Sequence, residues 1–520
     1  MDLSTSNERG DQLQKLQEEP RPAGDERGGR RPAEPRPAST LDAEPQAPAA
    51  PTLRLACELA LSYLETLPSR PVGEQATLAE LRARLGAPLG EEGVEPAAVL
   101  RDLAAGAEPG LIGSAGPRYF GFVIGGSLPA ALGADWLTST WDQNPGLYAV
   151  SPAAAVVEEI AAAWILELLG LPAGASVGFV TGCQMAHVTA LAAARHALLA
   201  RTGWDAGELG LQGAPPLRIL AGSEAHVTVF RALRLLGLGT RSVERVESDG
   251  QGRMDPAALA RRLDVGRGAP ALICAQVGNV NSGACDPLAD IAALARQHGA
   301  WLHVDGAFGL WAAASPRLRH LVAGAVLADS WATDAHKWLN VPYDSGIVAV
   351  ADAGAHSAAM STSASYLQQR QEGGRDALDW VPEFSRRARG FAIYAALRSL
   401  GRRGVAELVE RCCGHARRMA EILAAEPGVE VLNEVALNQV LVRFHDRAGG
   451  GSADELTRAI IRRVQRQGVC WLGGTTWHGV AAMRISVSNW STTADDAELS
   501  AAAILTAMRE ERAETAGAAG

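Results

Sequence analysis

Apolar positions recur at helical spacing over 53–67 and 76–85, and over a longer stretch at 153–169, which predicts a helical N-terminal portion. Between about 175 and 350 the texture changes. Short apolar runs at 176–180, 218–221, 271–276, 301–304, 326–331 and 346–351 alternate with helical patterns. That alternation predicts an α/β unit, a mostly parallel sheet with helices on both faces. A loop is expected at 369–376, then a long helix at about 385–400, then a smaller α/β unit ending in a strand at 482–488. Residues 1–52 are rich in Pro, Glu, Arg, Gly and Ala, with too few large apolar residues to offset the entropy of ordering, so a disordered tail is expected there. No internal repeat is evident. The expected division is a tail (1–52), a helical segment that dimerises (53–150), a large domain (151–385), a small C-terminal α/β domain (386–510) and a short disordered tail (511–520).

Composition narrows the function classes. The chain has 520 residues, 47% hydrophobic and 20% charged, as a soluble globular protein with a large core would. A formal net charge of -10 argues against nucleic acid as a partner, because a duplex-binding face needs a basic stripe. No apolar run reaches about 18 residues and the first thirty residues are polar, so neither a membrane span nor a secretory signal is expected, and the expected location is cytoplasmic. Seven cysteines are scattered without a C-x-x-C pair, which predicts reduced thiols and no metal site. Lysine is more informative: it occurs only at Lys15 and Lys337, while arginine supplies the other basic residues. Arginine keeps its proton and cannot attack a carbonyl, whereas a buried lysine can be tuned to do so, so Lys337 is a candidate nucleophile.

In doubly wound sheets ligands sit beyond the carboxyl ends of the strands. Run 176–180 is followed by Thr181-Gly182-Cys183-Gln184 at a helix start, where free backbone N–H groups suit a phosphate, although any strand-to-helix turn looks similar. Run 218–221 is followed by Gly222-Ser223-Glu224-Ala225-His226, and His226 is either structural or catalytic. Run 301–304 ends in Asp305-Gly306-Ala307, and run 326–331 leads into Asp334-Ala335-His336-Lys337-Trp338. A buried strand-end Asp needs a cation, either a structural arginine or a ligand. An Asp followed 32 residues later by a His-Lys pair is what pyridoxal 5′-phosphate chemistry needs: the Asp keeps the pyridine nitrogen protonated and the Lys forms an imine with the cofactor aldehyde.

The blocks Val150-Ser-Pro-Ala, His303-Val-Asp-Gly-Ala-Phe-Gly and Asp334-Ala-His-Lys-Trp-Leu resemble those of the group II pyridoxal phosphate-dependent amino acid decarboxylases, the aromatic amino acid and glutamate decarboxylase family of fold type I, from about residue 55 to about 510. The resemblance implies the fold type I transferase-like architecture, with a seven-stranded, mostly parallel sheet and a smaller C-terminal domain. It implies the Schiff base at Lys337, the pyridinium partner at Asp305, Ala307 against one ring face and His226 against the other. It also implies phosphate contacts from Gly182, Cys183 and Gln184 with help from His336, and Asn279 near the phenolic oxygen. Trp141 and Asn144 fall where the family lines its substrate pocket, and Arg484 is either a carboxylate clamp or a structural ion-pair partner.

The expected reaction is loss of the α-carboxylate of an L-amino acid as carbon dioxide, leaving an amine. One departure stands out: the family supplies a tyrosine from a mobile loop as general acid, and 369–382 contains none, Tyr366 lying just before it. Another pyridoxal phosphate reaction on the same scaffold, namely decarboxylation with oxidative deamination, transamination or carbon–carbon cleavage, therefore stays open, as does a catalytically silent homologue. A homodimer with shared sites is expected, because 53–150 carries more apolar surface than a short lobe can bury.

Overall fold

The computed structural model describes residues 49–362, 374–446 and 452–518. The tail expected over 1–52 lies outside the described residues as far as 48, and Tyr366 with most of the loop at 369–376 lies outside them too.

Five helices come first: α1 (Ala49–Thr66), α2 (Leu78–Leu85), α3 (Pro96–Ala107), α4 (Pro129–Trp141) and α5 (Pro152–Leu169). Local chemistry sets their ends. Thr77 and Glu80 form a reciprocal capping box at the start of α2. Pro152 opens α5, and Gly170 closes it at a φ of 65°, which glycine adopts at no steric cost. Helix α1 reaches back through 49–52, positions expected to belong to the tail.

The large sheet follows. Its strands are β1 (Ser176–Val180), β2 (Arg218–Gly222), β3 (Val243–Val246), β4 (Ala271–Gln276), β5 (Trp301–Asp305), β6 (Ser330–Asp334) and β7 (Gly346–Val350). Between them run α6 (Cys183–Ala200), the short α7 (Ala206–Leu209), α8 (Val227–Leu235), α9 (Pro256–Val265) and α10 (Leu288–His298). The strand order is β1-β7-β6-β5-β4-β2-β3. Strands β3, β2, β4, β5 and β6 are parallel, and β7 is antiparallel to both neighbours. Strand β1 therefore points the same way as β6, and β7 begins at the edge where the others end. Gln276 pairs with Asp305, Asp305 with Ala332, and Gly346 with both Val180 and Asp334. Residues just after β1, β5 and β6 and just before β7 thus share one edge. Helix α6 packs buried against this sheet through Ala186, Ala190, Leu191, Ala194 and Leu198.

After α11 (Ala353–Met360) comes α12 (Gly390–Ala424), kinked at Gly401, whose φ of 61° and ψ of 179° break the helical path. The second sheet is antiparallel, ordered β10-β11-β9-β8, from β8 (Val429–Val431), β9 (Gln439–Phe444), β10 (Gly473–Trp477) and β11 (Val480–Ser486). Helix α13 (Ala453–Gln467) and α12 pack against it, and α14 (Ala494–Ala518) lies on those two helices. The fold is the expected α/β architecture with a helical N-terminus, a seven-stranded sheet and a smaller second sheet.

Three sequence expectations need correction. The run at 326–331 is not the strand: 325–327 forms a 3-10 turn after Gly324 at a φ of 92°, and β6 begins at Ser330. Strand β3 was not expected, since Val-Glu-Arg-Val is too short and half polar to announce itself. The tail placed at 511–520 is helical to Ala518, because Arg463 on α13 pairs with Glu510 at 3.2 Å, Glu511 at 2.6 Å and Glu514 at 2.5 Å. Among the described residues no helix is long and apolar enough to cross a membrane.

Candidate active site

The shared carboxyl edge gathers the predicted chemistry. Lys337, the sole lysine among the described residues, follows β6 and places its Nζ 3.0 Å from Asp334 Oδ2. Burial works against its ammonium form, but the Asp334 carboxylate, with Asp305 beyond, outweighs that and holds the lysine above its ordinary pKa. Asp305 ends β5, almost sealed from solvent. Burial alone would favour its neutral form, yet His187 3.5 Å away, with His226 and Lys337, drives its carboxyl well below the usual range. The Ala307 amide donates to Asp305 Oδ1 at 3.1 Å, fixing one oxygen in direction.

His226 caps α8: the Thr228 amide donates to its Nδ1 at 3.4 Å, and the Thr228 hydroxyl lies 2.7 Å from the same atom. Nδ1 is thereby an acceptor, which leaves the imidazole hydrogen on Nε2. Burial keeps the ring neutral, and Arg484 lowers its basicity further, so the Arg484 guanidinium lies within electrostatic reach of this histidine. Arg484, on β11, is mostly buried, its Nε has no hydrogen-bond partner, and burial pulls it below the ordinary arginine value. No carboxylate pairs with it among the described residues.

At the phosphate end the structure differs in detail from the sequence reading. Gly182 caps α6 as expected, and a side chain there would press on the His336 ring at 3.1 Å. The Cys183 amide, expected to meet phosphate, instead donates to Asp334 Oδ1 at 2.5 Å, because β6 delivers a carboxylate to the end of the helix where N–H groups point outward. The Gln184 side chain reaches Thr228 O at 3.2 Å and ties α6 to α8. His336 accepts the Ser345 amide at 3.2 Å through Nδ1 and stacks on Tyr343. Burial holds its ring neutral. Ser345 was missed by sequence reasoning. Its hydroxyl is buried without a partner, one residue ahead of Gly346, where a side chain's Cβ would fall 2.4 Å from Gly182 Cα. An orphaned hydroxyl beside a glycine-lined helix start is where a phosphate oxygen fits.

Other expected residues are occupied elsewhere. Asn279 donates to Glu224 O at 3.3 Å and accepts the amides of Asn281 and Ser282, so its amide closes a turn. Asn144 accepts the amides of Gly146 and Arg386, and Trp141, half exposed at the end of α4, lies edge-on to Phe391. Within the described residues these contacts do not join Trp141 or Asn144 to Lys337, Asp305 or His226. Two further histidines do belong: His187 on α6 and His303 on β5 meet at 2.9 Å behind Asp305. His303 was visible only as part of a motif, and His187 gave no signal because their partnership spans 116 residues. Cys183, His187 and Asp305 also present possible metal-ligand atoms within 4.8 Å of one another. Burial with the Asp334 and Asp305 carboxylates raises the Cys183 thiol far above its ordinary value, so it is a poor source of the thiolate a metal would want.

The comparisons agree with this geometry. The family model described as the pyridoxal-dependent decarboxylase conserved domain matches residues 81–445. Tryptophan decarboxylase 1 of Oryza sativa subsp. japonica is 28% identical over 416 residues, covering 75% of this chain and 80% of its own. Aromatic-L-amino-acid decarboxylase of Bacillus atrophaeus is 26% identical over 449 residues, covering 85% and 91%. The crystal structure of Oryza sativa TDC with PLP and tryptamine superposes with a TM-score of 0.83 at 24% identity, over 92% of this chain and 99% of that one, which places the two in the same fold. With the lysine, the strand-end aspartate and a glycine-lined helix start at one sheet edge, the chain belongs to the pyridoxal-dependent decarboxylases and takes pyridoxal phosphate as its cofactor.

Proposed function

We propose that the chain removes the α-carboxylate of an L-amino acid to give an amine and carbon dioxide, with Lys337 as the cofactor-bearing lysine. The observation that carries this is Lys337 itself, held 3.0 Å from Asp334 at the edge where Asp305 and His226 converge. When bound there, pyridoxal phosphate supplies a protonated ring into which the electrons of the breaking carbon–carbon bond can delocalise. Asp305 would pair with the ring nitrogen and hold its proton there. Gly182, the backbone amide of Gln184, His336 and the Ser345 hydroxyl would hold its phosphate, and Ala307 and His226 would hold its ring. Arg484 takes a substrate carboxylate, since a largely buried guanidinium with no acidic partner among the described residues is costly unless a ligand supplies one. His226, with its hydrogen on Nε2, can hold or deliver a proton on its own face of the site.

Borohydride reduction of the holoenzyme followed by peptide mapping should place the adduct on Lys337, and Lys337→Ala should abolish it. An adduct at Lys15 overturns the assignment. An amino acid panel read for amine, carbon dioxide, aldehyde, ammonia and peroxide tests the reaction. A second reading is decarboxylation coupled to oxidative deamination by dioxygen. It has support from 4-hydroxyphenylacetaldehyde synthase of Rhodiola rosea, 27% identical over 436 residues, and from the lack of tyrosine in 369–382. Aldehyde, ammonia and peroxide as products favour it, and amine with carbon dioxide excludes it.

The same reading takes the protein as a cytoplasmic homodimer. All seven cysteines are free, as in a reducing compartment, and α1 buries none of its residues within one chain. It takes 151–385 as the cofactor-binding domain, 386–510 as the smaller domain and 53–150 as the dimerising segment.

A further inference from the structure

We propose that His187 and His303 are positioning residues: they form one directed line of hydrogen bonds that keeps Asp305 ionised and aimed at the cofactor's ring nitrogen. This rests on the reading that Asp305 pairs with that nitrogen.

The line has four links. Trp301 Nε1 lies 2.9 Å from Ser330 Oγ, Ser330 Oγ lies 2.9 Å from His303 Nδ1, His303 Nε2 lies 2.9 Å from His187 Nδ1, and His187 Nε2 lies 3.5 Å from Asp305 Oδ2. The polarity we assign to it runs from the far end. An indole N–H only donates, so the Ser330 oxygen accepts from it, and in the arrangement we propose the hydroxyl hydrogen goes to His303 Nδ1. Burial, with His187 beside it, pulls His303 down to about 3, so that ring is neutral and carries one hydrogen. With Nδ1 accepting, that hydrogen sits on Nε2 and is given to His187 Nδ1. His187 must then carry its own hydrogen on Nε2, the atom that faces Asp305. Each link fixes the next tautomer, and the last donor meets the carboxylate.

Asp305 is enclosed by groups that favour its anion from several elements. The Cys183 thiol of α6 approaches Oδ1 at 3.8 Å and the Ala307 amide at 3.1 Å, while His226 ahead of α8 and Lys337 after β6 contribute charge and dipole. Cys274 on β4 feels the carboxylate through its own raised thiol, and Asp286 and Asp334 are the nearby acids. A pair of histidines serving packing alone would need only each other. These two are joined to a donor-only indole at one end and to the active-site carboxylate at the other.

The test uses holoenzyme loaded with pyridoxal phosphate labelled with nitrogen-15, reading the ring-nitrogen chemical shift from pH 6 to 9 alongside kcat and KM. In the native protein and in His187→Gln, which keeps an N–H donor, the nitrogen should stay protonated throughout. In His187→Leu it should lose its proton about one pH unit or more earlier than in the native protein, with kcat down about tenfold and KM within about twofold, as expected when one donor to a buried carboxylate is lost. Placed in an Asp305→Asn background, His187→Leu should add less than about twofold, because both changes act through one group. If Asp305→Asn leaves the shift unchanged, the pairing of Asp305 with the ring nitrogen is wrong and the relay falls with it. If Asp305→Asn moves the shift and His187→Leu does not, the relay alone is overturned. Should His187→Leu fail to fold, Ser330→Ala carries the same test. It frees His303 to reverse its tautomer, and an unchanged titration in that variant overturns the proposal.

Discussion

Two carboxylates end neighbouring strands and are surrounded differently. Asp305 meets one backbone amide, the Cys183 thiol and the His187 imidazole, with His226 and Lys337 adding charge, and these leave it an anion for a cationic partner. Asp334 is tied to the Cys183 amide and to the Lys337 ammonium, so it orients the lysine and closes the start of α6. Replacing Asp305 by Asn keeps the shape and removes the charge. The expected result is an intact fold with turnover reduced by roughly two orders of magnitude or more, the scale on which a buried charge partner shifts a protonation equilibrium, and near-native activity would remove Asp305 from the site. Buried histidines also set the response to acid. Burial pulls His303 down to about 3 and His356 down to about 4, so both stay neutral in the fold, while in the unfolded chain they charge near 6.5. The unfolded state therefore binds protons first. Stability is full above the unfolded value and falls as pH drops from about 6.5 toward 4, by up to about 1.4 kcal/mol per pH unit for each histidine. Urea titrations at pH 7.5 and 5 should show the loss, and His356→Gln should reduce it. An equal loss in that variant would assign acid sensitivity to other groups.

At the scale of elements, a buried ion pair holds the sheet's helical cover in place. Arg386, just ahead of α12, makes bonds of 2.7 and 2.6 Å to Glu158 on α5 and a third of 3.2 Å to Phe179 O on β1. With both side chains almost fully buried, Arg386→Met leaves an uncompensated carboxylate and should cost about 3–5 kcal/mol in urea unfolding, whereas Glu158→Leu with Arg386→Met should recover much of that. A loss under about 1 kcal/mol in the single variant would show that water reaches Glu158. This pair was not legible in the sequence, because its members stand 228 positions apart and neither carries a local signal. What was legible obeys short-range rules. Runs 176–180 and 271–276 are fully buried strands and match β1 and β4 to the residue. The run at 326–331 misled because a short apolar stretch reads alike as a strand or a buried turn. Lys337 and Asp305 stood out through lysine's rarity and the strand-end position. Ser345, Asp334 as a helix cap and the His187–His303 line depend on which strand ends the sheet order brings together, and no spacing encodes that.

At the scale of the whole molecule, the described residues of one chain leave apolar side chains of the first helices exposed. Leu53, Leu61, Leu78, Leu103, Phe122 and Trp136 are all more than a third exposed, as the proposed dimer requires of the surface it would cover. A two-fold dimer through this face would cover α1 and bring the end of α4 beside a neighbour's site, giving Trp141 the substrate contact it lacks within its own chain. Light scattering at low concentration should report twice the mass of one chain. Mixed dimers then decide whether sites are shared. In a dimer of one Lys337→Ala subunit and one Trp141→Ala subunit, a tryptophan acting across the interface leaves one complete site, since the intact lysine faces the intact tryptophan of its partner. Such a dimer should turn over at about half the native rate, above either parental variant, as a site assembled from two chains requires. A tryptophan acting within its own chain pairs the intact lysine with the altered tryptophan and leaves no complete site. Activity no higher than that expected from the Trp141→Ala subunit alone would therefore confine the site to a single chain.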